Sequence, residues 1–273
     1  MHSTFSDGAL TPSQLVEQAV SRGLDLIALT DHDEVAGAAS LAKAELPLRL
    51  IPGVELSIRG MKGLHLLGYG AEIPASLTAA LDRLRQARIA RAGVMLDKLD
   101  ALGCPLDRQK LLASCRGSVG RTQIARAMAE SGFVGDVPEA FDRYLGEGGP
   151  AWAEGERLDM AGALALLRSS GFVPVLAHPA LLEKDDMTLR VLLEAWRGQG
   201  LMGVEVYHPS RAGQGFSALD RLARRMGLLV TGGSDFHTSG DWHGDIGCMA
   251  GFWPDAQRDA EALLRAVADA RGE

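Results

Sequence analysis

Short apolar runs in this chain end, one after another, on histidine or a carboxylate, and no other feature constrains the fold as tightly. Leu26-Ile27-Ala28-Leu29-Thr30 leads into Asp31-His32-Asp33, and Leu48 to Val54 leads into Glu55. Val173 to Ala177 leads into His178, Gly203 to Val206 into His208, and Leu228 to Thr231 into Asp235 and His237. A sixth run, Leu64 to Tyr69, carries His65 inside it. Helical patterns lie between most of these runs, at 11–23, 34–45, 158–170, 187–198, 215–226 and 254–271. The first is well punctuated: Thr11 suits an N-cap, Pro12 the first helical position and Gly23 the exit. Apolar strands alternating with helices predict parallel βα units. In β/α barrels the C-terminal ends of the strands converge on one face, where active sites are built.

Residues 73–147 interrupt the alternation. Leu77 to Leu102 is a long helical pattern that Gly103 and Pro105 break, and further helical segments fall at 107–114, 121–131 and 137–145. No strand is evident there, and Gly146, Gly148, Gly149 and Pro150 mark the exit. The chain therefore reads as a first barrel part (1–72), a helical insertion or cap (73–147) and a second barrel part (148–273).

A length of 273 residues fits one barrel or two ordinary domains. The net charge of −7 argues against a broad nucleic-acid surface, so no long nucleic acid is expected as a partner. The charge is uneven, since residues 81–131 hold ten Lys/Arg against five Asp/Glu. An acidic body with a basic segment suits a protein that holds divalent metal in one place and meets phosphate from another. The bland alternative is that Arg83, Arg85, Arg88 and Arg91 only solvate a helix face. Cys104, Cys115 and Cys248 lack metal-site spacing and read as reduced thiols of a cytoplasmic protein. No apolar run reaches the roughly 18 residues of a membrane span, and the polar N-terminus does not read as a signal peptide.

Of the seven histidines, none lies in the helical stretch 73–147. A lone histidine after a strand is more often a hydrogen-bonded core or loop residue than a ligand. The joint pattern reverses that reading, because Asp7, Asp31, Asp33, Glu55, Glu205 and Asp235 share the same strand-end positions. Imidazoles and carboxylates delivered together by several strands fit a multinuclear site for Mn, Zn, Fe or Mg. A pH-sensing histidine cluster would not require the interleaved carboxylates.

Five segments resemble the motifs of the PHP (polymerase and histidinol phosphatase) family, in the family's order. They are His2-Ser3-Thr4-Phe5-Ser6-Asp7-Gly8, Thr30-Asp31-His32-Asp33, Gly53-Val54-Glu55, Ala177-His178-Pro179 and Gly233-Ser234-Asp235-Phe236-His237. The resemblance implies an α/β fold, a distorted seven-stranded β/α (TIM-like) barrel. It also implies three divalent ions, manganese foremost. His2, Glu55 and Asp235 would serve the first; Glu55 would bridge to a second held by His65 and His178; Asp7, His32 and His237 would hold the third. Asp7, His32, Glu55 and His237 would be the catalytic set, since two close metals lower the pKa of a shared water and supply a hydroxide nucleophile. The family's first motif is His-x-His after an apolar strand. Here Met1 falls on the middle position, so an upstream strand and histidine are expected in the natural protein.

Gly120-Arg121-Thr122, Ile124-Ala125-Arg126 and Ala140-Phe141-Asp142-Arg143-Tyr144-Leu145 are similar to the inserted segment of PHP nucleotide phosphatases. This implies removal of the 3′-phosphate from nucleoside 3′,5′-bisphosphates, with trimming of very short RNA from the 5′ end in some members. Arg121, whose planar fork suits phosphate, and His208 are the expected substrate-phosphate contacts. Gln123 and Gly149 depart from relatives that carry His and Lys there, which removes two phosphate contacts. The rival readings are a phosphatase for another small ester such as histidinol phosphate, and a degenerate, non-catalytic metal-binding module.

Overall fold

A computed structural model describes residues 1–114, 119–155, 157–213, 215–240 and 243–271. Cys115 lies outside them; Cys104 and Cys248 are free thiols. Six strands form one curled sheet in sequence order: β1 (Leu26–Leu29), β2 (Arg49–Ser57), β3 (His65–Gly70), β4 (Phe172–Leu176), β5 (Gly203–Tyr207) and β6 (Leu229–Gly232). These match the six apolar runs. The sheet is mixed, however: β1 pairs with β2, β4 with β5 and β5 with β6 in parallel, while β3 lies antiparallel to both β2 and β4. The pattern of parallel βα units breaks at β3 because only the short segment 58–64 joins it to β2. A parallel return needs a crossover of about a dozen or more residues.

Strand alternation decides which side chains face where. Val54 and Leu56 of β2, Leu66 of β3, Phe172 and Leu176 of β4 and Val204 and Val206 of β5 belong to one core cluster. That cluster includes Leu164 and Leu167 of α7 (Met160–Ser169), Leu189 and Leu193 of α8 (Asp186–Gly198) and Leu219 of α9 (Ser217–Arg225). The opposite parity, Ile51, Leu67, Tyr69, Val173 and Val175, packs on Leu263 and Val267 of α10 (Ala256–Ala270). Glu55, His65 and Glu205 share this second parity, so the pleat that buries Ile51 and Leu67 also turns these polar residues to the inside of the curl.

The sheet edges β1 and β6 flank a cavity of about 680 Å³ lined by Leu26, Ala28, Ile51, Tyr69, Val230 and Leu264 and reaching Glu55 and His178. The first residues bridge these edges at one end, since the Thr30 amide donates to the Met1 carbonyl (3.0 Å) and the His2 amide to the Phe236 carbonyl (2.8 Å). Helix α1 (Pro12–Ser21) opens with the expected Thr11 cap and a capping box with Gln14. Helix α2 is shorter than the pattern over 34–45 predicts and covers only Ala36–Ser40. Gly37 and the β-region demands of Leu46-Pro47 limit helix growth there.

The stretch after β3 is helical, with α3 (Ala75–Ala101), α4 (Arg108–Ser114), α5 (Arg121–Glu130) and α6 (Val137–Ala140), which passes into a π-helical turn at Phe141–Leu145. The 27 residues of α3 span about 40 Å. Its first turns bury Leu77 and Leu81 in the core shared with the sheet. Its last turns bury Met95, Leu96 and Leu99 in a separate cluster with Ile124, Met128 and Leu145. One helix thus joins two hydrophobic cores.

Candidate metal centre

Five strands run the same way, so their C-terminal ends share one rim. His32 follows β1, Glu55 lies near the end of β2, His178 follows β4, His208 follows β5, and Asp235 and His237 follow β6. Because β3 runs backwards, its first residue, His65, reaches the same rim. This explains why His65 sits at a strand start while the other histidines follow strand ends. Asp33, His178 and Asp235 hold positive φ values of 50°, 25° and 49°. Such conformations cost on the order of 1–3 kcal/mol each and persist where surrounding structure enforces them.

The predicted ligands converge. Oε2 of Glu55 is 2.9 Å from His2 Nε2, while its Oε1 is 2.8 Å from His65 Nδ1 and 2.9 Å from His178 Nε2. His65 Nδ1 and His178 Nε2 are 3.2 Å apart. Asp235 Oδ1 is 3.1 Å from His2 Nε2, and Asp7 Oδ1 is 3.3 Å from His237 Nε2. Ligand atoms lie within 4.8 Å of one another in the sets His2–Asp7–His32–His237, His32–Glu55–His65 and His2–Glu55–Asp235. All eight residues expected as metal ligands therefore meet in one place. His208 joins them, with Nε2 3.5 Å from Asp235 Oδ2.

The donor set fits divalent cations. Asp7 Oδ1, His32 Nδ1 and His208 Nε2 are buried without a hydrogen-bond partner, and each such atom costs about 1–3 kcal/mol when nothing satisfies it. Burial disfavours the charged form of His2, yet hydrogen bonds to Asp235 and Glu55 outweigh it and raise its pKa to about 10. His178 rises to about 9 against burial, through the Glu55 hydrogen bond. His32, whose burial dominates, falls to about 3. Burial opposes ionisation of Asp7, Glu55 and Asp235, but neighbouring imidazoles hold all three well below the usual carboxylate range. Three ionised carboxylates thus face the protonated imidazoles of His2 and His178, and those protons occupy positions that a cation can take.

Three strand-end acids do not join the cluster. Asp31 accepts from the Ser3 amide (2.7 Å), Ser3 Oγ (2.8 Å) and Ser6 Oγ (2.7 Å), and so fixes the loop that carries His2 and Asp7. Gly8 closes that loop, and a Cβ there would stand 2.1 Å from the His2 carbonyl oxygen. Asp33 accepts from the Ser57 amide (2.9 Å) and pairs with Arg88 of α3. Glu205 accepts from the His178 amide at 2.9 Å, and burial raises its pKa.

Helix α5 docks on the same loop: Gln123 Nε2 donates to the Ser6 carbonyl (3.0 Å) and Arg126 to the Asp7 carbonyl (3.1 Å). Gln123, expected only as a lost phosphate contact, is thus a docking residue. Arg121 heads this helix. Its guanidinium lies 5.5 Å from the Phe141 ring centre and donates to the Leu145 carbonyl at 3.4 Å, both in the π-helical turn. Burial and the charge of Arg157 lower its pKa. Arg91 falls to about 10 through burial and repulsion from Arg121 and Arg157.

The profile of the PHP domain matches residues 1–104. A 5′-3′ exoribonuclease of Haemophilus influenzae is 34% identical over 247 residues, covering 88% of this chain and 89% of that protein. A 3′,5′-nucleoside bisphosphate phosphatase of Chromobacterium violaceum is 31% identical, covering 98% of this chain and 97% of its own. The chain belongs to the PHP family. It is accordingly a phosphoesterase, a hydrolase. A solved structure from Bifidobacterium adolescentis, described as a metal-dependent phosphoesterase, superposes with a TM-score of 0.81 at 29% identity, covering 97% of this chain and 94% of that one. Among the described residues of this PHP protein, no helix is long and apolar enough to cross a membrane.

Proposed function

We propose that this PHP protein removes the 3′-phosphate of nucleoside 3′,5′-bisphosphates. The observation that carries the reading is the pairing of two unlike sites: an anionic, imidazole-rich cluster at the barrel rim, and Arg121 on the helix that docks beside it through Gln123 and Arg126. Mutual repulsion among Arg91, Arg121 and Arg157 favours an anion between them. In this reading residues 73–147 form the cap, which holds the substrate's 5′-phosphate, while the barrel rim receives the 3′-phosphate. Very short 5′-phosphorylated RNA fits the same arrangement, because there too the attacked phosphorus hangs on a 3′-oxygen. The exoribonuclease name of the Haemophilus relative favours this second substrate.

The residues divide the work. His2, Glu55 and Asp235 would hold one cation, Glu55, His65 and His178 a second, and Asp7, His32 and His237 a third. The mixture of carboxylate and imidazole suits manganese, with zinc, iron and magnesium as competitors. The bound ions would supply Lewis acidity and lower the pKa of the attacking water. His208 Nε2, buried without a hydrogen-bond partner and 3.5 Å from Asp235 Oδ2, would donate to a phosphoryl oxygen. The two-site logic leaves a simple ester such as histidinol phosphate with nothing for Arg121 to bind. The near-complete ligand set opposes a non-catalytic role. Nucleotide substrates and the free thiols Cys104 and Cys248 are in keeping with a cytoplasmic enzyme.

Phosphate release from adenosine 3′,5′-bisphosphate, 3′-AMP, 5′-AMP and histidinol phosphate tests the proposal. The bisphosphate should give the highest kcat/KM, by at least tenfold over either monophosphate. Equal rates on all four would reject the second phosphate site.

A further inference from the structure

Six histidines reach the rim from strand ends or from the N-terminal loop, and the seventh, His243, arrives there without a strand to deliver it. His243 lies in the loop after β6, and its ring stacks on that of His237 with centroids 4.2 Å apart at 27°. Its Nε2 is 3.7 Å from Asp235 Oδ2. Ligand atoms of Asp235, His237 and His243 fall within 4.8 Å of one another, a fourth set beside the three described above. The two oxygens of Asp235 have different neighbours: Oδ1 lies 3.1 Å from His2 Nε2, and Oδ2 lies 3.5 Å from His208 Nε2 and 3.7 Å from His243 Nε2.

We propose that His243 is a further metal ligand, joining Asp235 and completing from the outer side the shell of the cation that His2, Glu55 and Asp235 would hold. The distance argues for it. A 3.7 Å separation is too long for a hydrogen bond, and neighbouring donors about 2.1 Å from one cation stand about 3.0 Å apart in octahedral and about 3.4 Å apart in tetrahedral coordination, a small side-chain adjustment away. The ring stack supplies orientation, since it fixes the imidazole plane beside His237, itself a proposed donor. The position supplies the role. The His243 side chain retains some exposure, 15% against 0% for His2, so it can release and retake the cation without disturbing the buried ligands. His243 therefore governs how tightly that ion is retained.

The inference rests on the metal-centre reading, and one set of titrations separates the two. Cobalt(II) is titrated into wild type, His243→Ala and His243→Asp, followed by visible absorption and by atomic emission after dialysis. Melting of each metal-free variant confirms folding. We expect His243→Ala to lose at least tenfold in affinity for one ion per chain while the others bind as before, and His243→Asp, which restores a donor, to recover most of it. Unchanged affinity in His243→Ala overturns the ligand role and leaves the metal centre standing. A loss that Asp does not repair assigns His243 to packing against His237 and also overturns it. A wild-type protein that binds no divalent ion overturns both readings.

Discussion

The buried imidazole of His2 places its Nε2 2.9 Å from Oε2 of Glu55, and the other oxygen of Glu55 serves His65 and His178 at 2.8 and 2.9 Å. One carboxylate therefore faces two sets of imidazoles with separate oxygens, which is the arrangement of a bridging ligand. Glu55→Gln keeps the shape and removes the charge. We expect it to lose at least one ion per chain on dialysis and to lower kcat/KM by a hundredfold or more. Metal analysis beside a turnover assay reads both, and a variant with full metal content and full activity would refute the bridge.

Metal binding should depend on pH with a definite sign. In the cation-free protein His2 and His178 titrate at about 10 and about 9, so both carry protons at neutral pH. A cation must displace them, so affinity should rise as pH rises toward 9–10 and fall as it drops. Calorimetric titration in buffers of differing ionisation enthalpy counts the protons. About two released per chain at pH 7 is the expected result, and a count of zero would mean that His2 and His178 are neutral before the cation arrives.

Asp31 offers a test of scaffolding as distinct from ligation. Its carboxylate accepts from the Ser3 amide and from Ser6 Oγ, both at 2.7 Å, and from Ser3 Oγ at 2.8 Å. Asp31→Ala removes the acceptor from these buried donors, at about 1–3 kcal/mol each. We expect a fall in stability of roughly 3–5 kcal/mol, read by denaturant unfolding, with metal affinity falling as His2 and Asp7 lose their fixed loop. Stability within about 0.5 kcal/mol of wild type would show that the loop holds itself.

The strands are legible in the sequence because each is an apolar run ended by a polar residue, and the ligands are legible because those residues are chemically unusual there. Strand direction is not legible. The run Leu64 to Tyr69 reads the same forwards or backwards, and only pairing with β2 and β4 reveals that His65 leads it. Nor can the pattern separate Asp31 and Asp33 from Asp7 and Glu55, since all sit near imidazoles in sequence. The first two are engaged by backbone amides and by Arg88, which spacing along the chain cannot disclose. His243 is hidden for a related reason, because a loop rather than a strand end brings it to the rim.

Arg121 separates recognition from chemistry. It lies outside the ligand cluster, on a helix fixed to the Asp7 loop by Gln123 and Arg126, and it retains Phe141 and the Leu145 carbonyl as neighbours. Removing its guanidinium should leave the metal ligands in place. A charge-assisted contact to phosphate contributes roughly 1.5–3 kcal/mol, which corresponds to about a tenfold to hundredfold rise in KM. Arg121→Ala should show that rise with adenosine 3′,5′-bisphosphate and little change with 3′-AMP, while bound metal stays at the wild-type level. Arg121→Lys should recover only part of the loss, because a point charge cannot reproduce the planar fork. Equal losses on both nucleotides would place Arg121 at the reacting phosphate. No loss on either would make it a structural residue of the cap, held by Phe141 and Leu145, and the second phosphate would have to be sought at Arg91 and Arg157.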